Sequence, residues 1–208
     1  MASVNVNQEA KQKVTGYGTI SLPKNTANGQ VSDVVLRGLT ATQQIVNGNF
    51  ANGTTGWTSK FNSATVTDGI LTLYSTGGFR NFYEAIPILS GRKYYGRIRY
   101  KPDVDNDTPY LHILALQSDF KWATRHTIVP AQGIVKGQWN TVSNILDATS
   151  DAPYVSLGSF PSNETENYFE VDYAVLIDLT TTFSAGNEPT KEECDKIFAN
   201  YFDGTKST

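Results

Sequence analysis

The sequence predicts an all-β protein: a two-sheet β-sandwich with a short β arm before it and a single amphipathic helix after it. Two observations carry this. Charged residues make up only 18% of the 208, while aromatics reach 12%, eleven of them Tyr; residues that fit a pleated, half-buried surface dominate, and turn formers punctuate them. Short strand-like runs then recur at regular spacing from the middle of the chain to near its end, the pattern of a sandwich and not of alternating strands and helices.

Residues 1–44 form a distinct opening rich in Asn, Gln, Thr and Gly. Two strands are expected in it, near Val14–Ile20 and Val31–Leu36, joined by a turn at 23–29. So little apolar surface predicts pairing with a neighbour, either another subunit or the main domain, and a closed symmetric homo-oligomer is the expected assembly. The sandwich is expected over 45–178. After Trp57, strands are read at Ala64–Thr67 and Ile70–Tyr74, split by an Asp68-Gly69 hairpin turn. Others follow at Phe82–Leu89, Tyr94–Tyr100, Tyr110–Leu116, Thr124–Val129, Trp139–Ile145, Tyr154–Phe160 and Tyr168–Ile177. In the last part, 179–208, Thr190 and Glu193 have capping-box spacing. Cys194, Ile197, Phe198, Tyr201 and Phe202 share one helical face, so a helix over about 190–203 is expected to dock on the sandwich, with Gly204 as its stop.

Composition excludes several classes. A net charge of −3 gives no whole-chain attraction to nucleic acid. No apolar run approaches the ~18 residues of a membrane span. The single Cys194 allows neither an internal disulfide nor a cysteine-based zinc site. The start of the chain is polar and does not read as a signal peptide, so export by a route other than a visible signal is expected, cell lysis being one such route. Glu84, Asp103, Asp105, Asp107 and Glu164 are scattered, and neither histidine has a triad partner. No enzyme is expected.

Some stretches resemble a known family. Asn47-Gly48-Asn49-Phe50 followed by Gly53 and Gly56-Trp57, then Gly91-Arg-Lys-Tyr94 with Lys101, Gly137-Gln-Trp139 and Phe169-Glu-Val-Asp172, resemble in order the landmarks of jelly-roll carbohydrate-binding modules. The region from Ile177 to Phe183, Gly186-Asn-Glu-Pro-Thr190 and the helix after it resemble a C-terminal block of phage tail proteins from Gram-positive hosts, and Gly18–Pro23 and Val34–Leu39 resemble their linkers. The resemblance implies a jelly roll that binds host cell-surface polysaccharide, a place in the virion tail or baseplate, and other tail proteins as partners. It also implies structural roles for Trp57 and Trp139. A structural calcium ion is a family feature with Asp172 as one ligand, although Ala51 stands where the other acid would be. No cofactor is required. A purely structural tail subunit and an accessory module of a polysaccharide-degrading enzyme are the alternatives.

Sugar recognition needs flat aromatic faces and planar hydrogen-bonding groups. Alternation over Tyr94–Tyr100 puts Tyr94, Ile98 and Tyr100 on one face, expected to be core, and Tyr95, Arg97 and Arg99 on the other, expected to be wet. Trp122 and Arg125 fall in what reads as a polar loop with no core for an indole to enter. These five, with His112, form the expected glycan groove; an interior, hydrogen-bonded role is the competing reading of His112.

Overall fold

The computed structural model of the protein describes residues 12–14, 18–21, 33–36, 39–59, 63–75, 80–103, 108–116, 122–127, 135–160 and 167–199. The strands at 12–14, 18–21, 33–36, 108–116 and 122–127, with residues 75, 80, 81, 159, 160 and 167, are described by their backbone. The expected turn at 23–29, Asp105, Asp107, Glu164, Tyr201, Phe202 and Gly204 lie outside the described residues.

The opening segment forms a four-stranded antiparallel sheet of its own, in the order β1 (Gln12–Val14), β2 (Gly18–Ser21), β3 (Asp33–Leu36), β4 (Leu39–Thr42). The run expected as one strand over Val14–Ile20 is a hairpin, with Val14 opposite Gly18. β4 was not foreseen, because Leu39-Thr-Ala-Thr42 is too polar to signal a strand alone. It forms by pairing with β3 and by burying Ala41 completely.

Two five-stranded antiparallel sheets then make the sandwich. The front sheet runs β11 (Trp122–Thr127), β10 (Thr108–Leu116), β13 (Tyr154–Phe160), β8 (Arg80–Glu84), β5 (Trp57–Thr58). The back sheet runs β12 (Asn140–Asp147), β9 (Lys93–Pro102), β14 (Asn167–Asp178), β7 (Ile70–Ser75), β6 (Ser63–Thr67). Alternation decides which side chains meet between them. Leu71 and Leu73, Tyr94, Ile98 and Tyr100, and Phe169, Val171, Ala174 and Leu176 come from the back; Phe82, Val155 and Leu157 come from the front. The jelly-roll β-sandwich expected from sequence is the fold.

The Asn47–Trp57 segment closes one end of this core. Asn47 Nδ2 donates to the carbonyls of Gly53 (2.9 Å) and Thr55 (3.1 Å), while its own carbonyl accepts from Trp57 Nε1 (3.1 Å). Gly48 is required by contact: a Cβ there would lie 2.2 Å from the carbonyl oxygen of Ala174. Trp57 stacks on Phe82 with ring centroids 5.3 Å apart. Trp139 is not in the core cluster. It is partly exposed, beneath Arg99 and Lys101. The Gly-x-Trp motif fixes a turn and a strand, not the face that the indole takes.

Gln43 ties the opening sheet to the last strand. Its Nε2 donates to Ala174 O (2.9 Å) and its Oε1 accepts from Leu176 N (2.8 Å), so a side chain continues the ladder along β14. At the other end Asp178 caps α1 (Leu179–Phe183), accepting from Thr181 N at 2.8 Å. This helix was unforeseen, since Leu-Thr-Thr-Thr-Phe has poor helix propensity and only the cap marks its start. The expected capping box starts α2 (Lys191–Ile197). α2 is shorter than the expected 190–203; Phe198 already has φ −102° and ψ 12°. Cys194, Ile197 and Phe198 pack with Ala41, Tyr95, Tyr173, Val175, Ile177 and Leu179 as a second core on the outer side of the back sheet.

Candidate carbohydrate-binding face

The structure divides the six expected groove residues between the two sheets. Tyr95, Arg97 and Arg99 are on β9 of the back sheet, and the face expected to be wet is largely covered by the C-terminal segment. Tyr95 is fully buried; its hydroxyl donates to Asp195 Oδ1 (2.8 Å), and burial pushes its phenol well above the usual range. Arg97 is 4% exposed, donates from Nη1 to Phe198 O (2.6 Å) and lies 5.3 Å over the Tyr173 ring. Arg99 pairs with Asp172 and sits 4.7 Å over the Trp139 ring. Tyr95 and Arg97 therefore hold the helix, contrary to the exposed face that alternation alone suggested.

The same contacts bear on calcium. Asp172 engages Arg99, and exposed Ala51 brings no carboxylate. Among the described residues no group of three or more His, Cys, Asp or Glu side chains is gathered for a cation. These residues do not fit the hard, six- to eight-oxygen shell that calcium takes.

A shallow depression of about 540 Å³ opens between α2 and the back sheet, lined among others by Arg97, Ser143, Tyr173, Lys191 and Asp195. Its walls bind one another. Asp195 accepts from Tyr95, from Ser143 (2.6 Å) and from Lys191 (2.7 Å), and the hydroxyl and ammonium partners lower its pKa against the opposing effect of burial.

The other three candidates are on the front sheet. Register places Leu111 and Ile113 opposite Leu157 and Val155, which belong to the core. His112 is opposite Ser156, and Ser156 is opposite Tyr83, itself opposite Thr58. This row alternates with the core rows and so belongs to the outward face. In the next outward row Arg125 is opposite Leu114, and Leu114 is opposite Tyr154. Trp122 begins β11 instead of lying in a loop, opposite Leu116 after a bulge that drops Ala123 from the pairing. His112 and Arg125 thus share one sheet face by register, while Trp122 stands at the start of the edge strand, beyond the bulge.

Of the described side chains of that face, Ser156 is fully buried and Tyr83 is 7% exposed, and the ring of Tyr154 is the part open to a sugar. Tyr83 and Tyr154 meet edge to face, centroids 5.5 Å apart, with Tyr83 buried and Tyr154 partly open. Burial, then the neighbouring Tyr154, raises the Tyr83 pKa, so the phenol stays protonated. Tyr83, Tyr154 and Ser156 were missed in the sequence. The alternation of Val155 and Leu157 with Tyr154 and Ser156 was the signal for them.

The fold is that of the β-sandwiches to which carbohydrate-binding modules belong. No family model and no curated protein matches the sequence. Among solved structures, an arabinose-bound GH51 α-L-arabinofuranosidase, MgGH51, superposes with a TM-score of 0.50 at 12% identity, over 81% of this chain and 30% of that one. The CBM22-1 xylan-binding domain of Xyn10C from Paenibacillus barcinonensis gives 0.49 at 11% identity, over 63% and 91%. A CBM4 module gives 0.44 at 16% identity, over 63% and 92%.

Proposed function

We propose that the chain is a non-catalytic carbohydrate-binding protein of a bacteriophage tail or baseplate, produced in the host cytoplasm and carried on the virion. Residues 45–178 form the binding module in this reading, and host cell-surface polysaccharide is the ligand. One observation carries the binding role: the register of the front sheet brings Arg125 and Leu114 into line with partly open Tyr154, beside the row of His112, buried Ser156 and buried Tyr83. Partly open Tyr154 offers a ring to a sugar, and hydroxyl and basic residue types flank it. The tail assignment rests on the resemblance of the C-terminal block and linkers. A module with a weak, shallow site gains from several copies per virion, because each bound copy raises the effective concentration of the next.

Titrating host cell-wall polysaccharide against wild type, Trp122→Ala and Tyr154→Ala tests the site. Each substitution is expected to weaken binding about five- to tenfold, since aromatic packing contributes roughly 1 kcal/mol beyond area burial. Arg125→Ala is expected to weaken binding to charged glycans most, and less in high salt, where screening already blunts the attraction. Wild-type affinity in both aromatic variants, with unchanged stability, excludes this face. If no glycan binds wild type, the chain is a structural subunit.

Light scattering on the full chain tests assembly. A trimer is expected, held by the opening segment together with neighbouring tail proteins. A monomer at micromolar concentration excludes the homo-oligomer.

A further inference from the structure

We propose that Glu84 is a proton-operated latch on the Val46–Gly56 segment: protonated it keeps the segment closed over the end of the sandwich, and ionised it lets the segment open. Glu84 is 6% exposed at the end of β8. Its Oε1 accepts one long hydrogen bond, from Val46 N at 3.3 Å, and its Oε2 has no hydrogen-bond partner among the described residues. The Oε1 atom lies 3.6 Å from where a Cβ on Gly56 would stand, so the carboxyl is tucked beneath the last turn of the segment.

The described groups around it are uncharged. The segment offers an amide and the Gly56 backbone, β5 places Trp57 opposite Glu84, and β13 places Val155 opposite it. Its own strand brings Phe82 two residues away on the same face. No described ion pair includes Glu84, so nothing there offsets a negative charge. A carboxylate in such a place is costly unless it takes up a proton or reaches water.

Burial raises the Glu84 pKa from 4.5 to about 7, against a small opposing effect of the Val46 amide. Once the segment opens, the carboxyl meets water and regains its ordinary value. Opening therefore releases a proton between those two pH values, and its equilibrium constant rises about tenfold per pH unit there. Above 7 both forms are ionised and the rise stops. Acid closes the latch, and neutrality loosens it. The neighbouring Tyr83 contributes to the outward face of the same sheet, but the latch does not depend on what that face binds.

The test is a ¹³C NMR titration of the Glu84 carboxyl in the full chain, with amide hydrogen exchange followed across the same pH range. A midpoint near 7 is expected. Protection of the Val46, Asn52 and Thr55 amides, corrected for intrinsic exchange, is expected to fall about tenfold per pH unit from 4.5 to 7, while Ile98 in β9 changes little. In Glu84→Gln the protection of these amides is expected to be flat with pH. An ordinary carboxyl midpoint in wild type overturns the proposal. So does a pH profile that persists in Glu84→Gln, or a loss of protection shared equally by Ile98. Should Glu84→Gln not fold, the wild-type titration and exchange profile decide alone.

Discussion

Phe198→Ala is expected to cost about 3–5 kcal/mol of stability, the range for truncating a buried aromatic. Phe198 is fully buried, its ring 5.6 Å from that of Tyr95, and it shares its cluster with Ile197, Cys194 and Leu179. Removing the ring leaves a cavity between the back sheet and the C-terminal segment, beside the point where Arg97 holds the Phe198 carbonyl. Phe198→Leu keeps much of the volume and is expected to cost under about 1.5 kcal/mol. Urea unfolding measures both: the midpoint should fall at constant slope. An unchanged midpoint for Phe198→Ala would mean that the ring is not buried in solution.

Trp57→Ala is expected to be as severe, about 3–5 kcal/mol, whereas Trp139→Ala should cost only about 1 kcal/mol. Trp57 stacks on Phe82, tilts against Phe50 at 5.7 Å, and donates to Asn47, so its loss empties the core and unties the closing segment together. Trp139 gives up a partly exposed contact with Arg99 and Lys101, and both cations keep carboxylate partners in Asp172 and Glu170. Thermal unfolding of the two variants side by side checks this. Equal losses would contradict the placement of Trp139 outside the core.

The strands were legible because their alternation is a property of neighbouring residues. Tyr154–Phe160 was read with the bounds it has, and the Asp68-Gly69 hairpin was marked by its turn. What alternation leaves open is what covers the second face of a strand. Tyr95 and Arg97 looked like a surface without a structural purpose, and Cys194, Ile197 and Phe198 looked like a stripe that docks on the sandwich at a place the sequence did not name. The two puzzles were halves of one contact, separated by about a hundred residues of sequence. The Tyr95–Asp195 bond spans exactly that kind of gap, which no local window can see. His112 was ambiguous for a different reason: apolar residues occupy both phases of Tyr110–Leu116, and only pairing with β13 assigns its row.

The bonds that Gln43 makes with β14 have a mechanical meaning. Tension applied through the opening sheet meets Ala41, packed in the second core, and then Gln43 and Gln44. There it is shared among three short bonds, to Ala174 O, from Leu176 N and to Leu176 O. These contacts are fastened to β14, a strand with partners on both sides in the back sheet. A pull on the arm is thereby spread along an interior strand of the back sheet, on the side of the sandwich away from the front-sheet face.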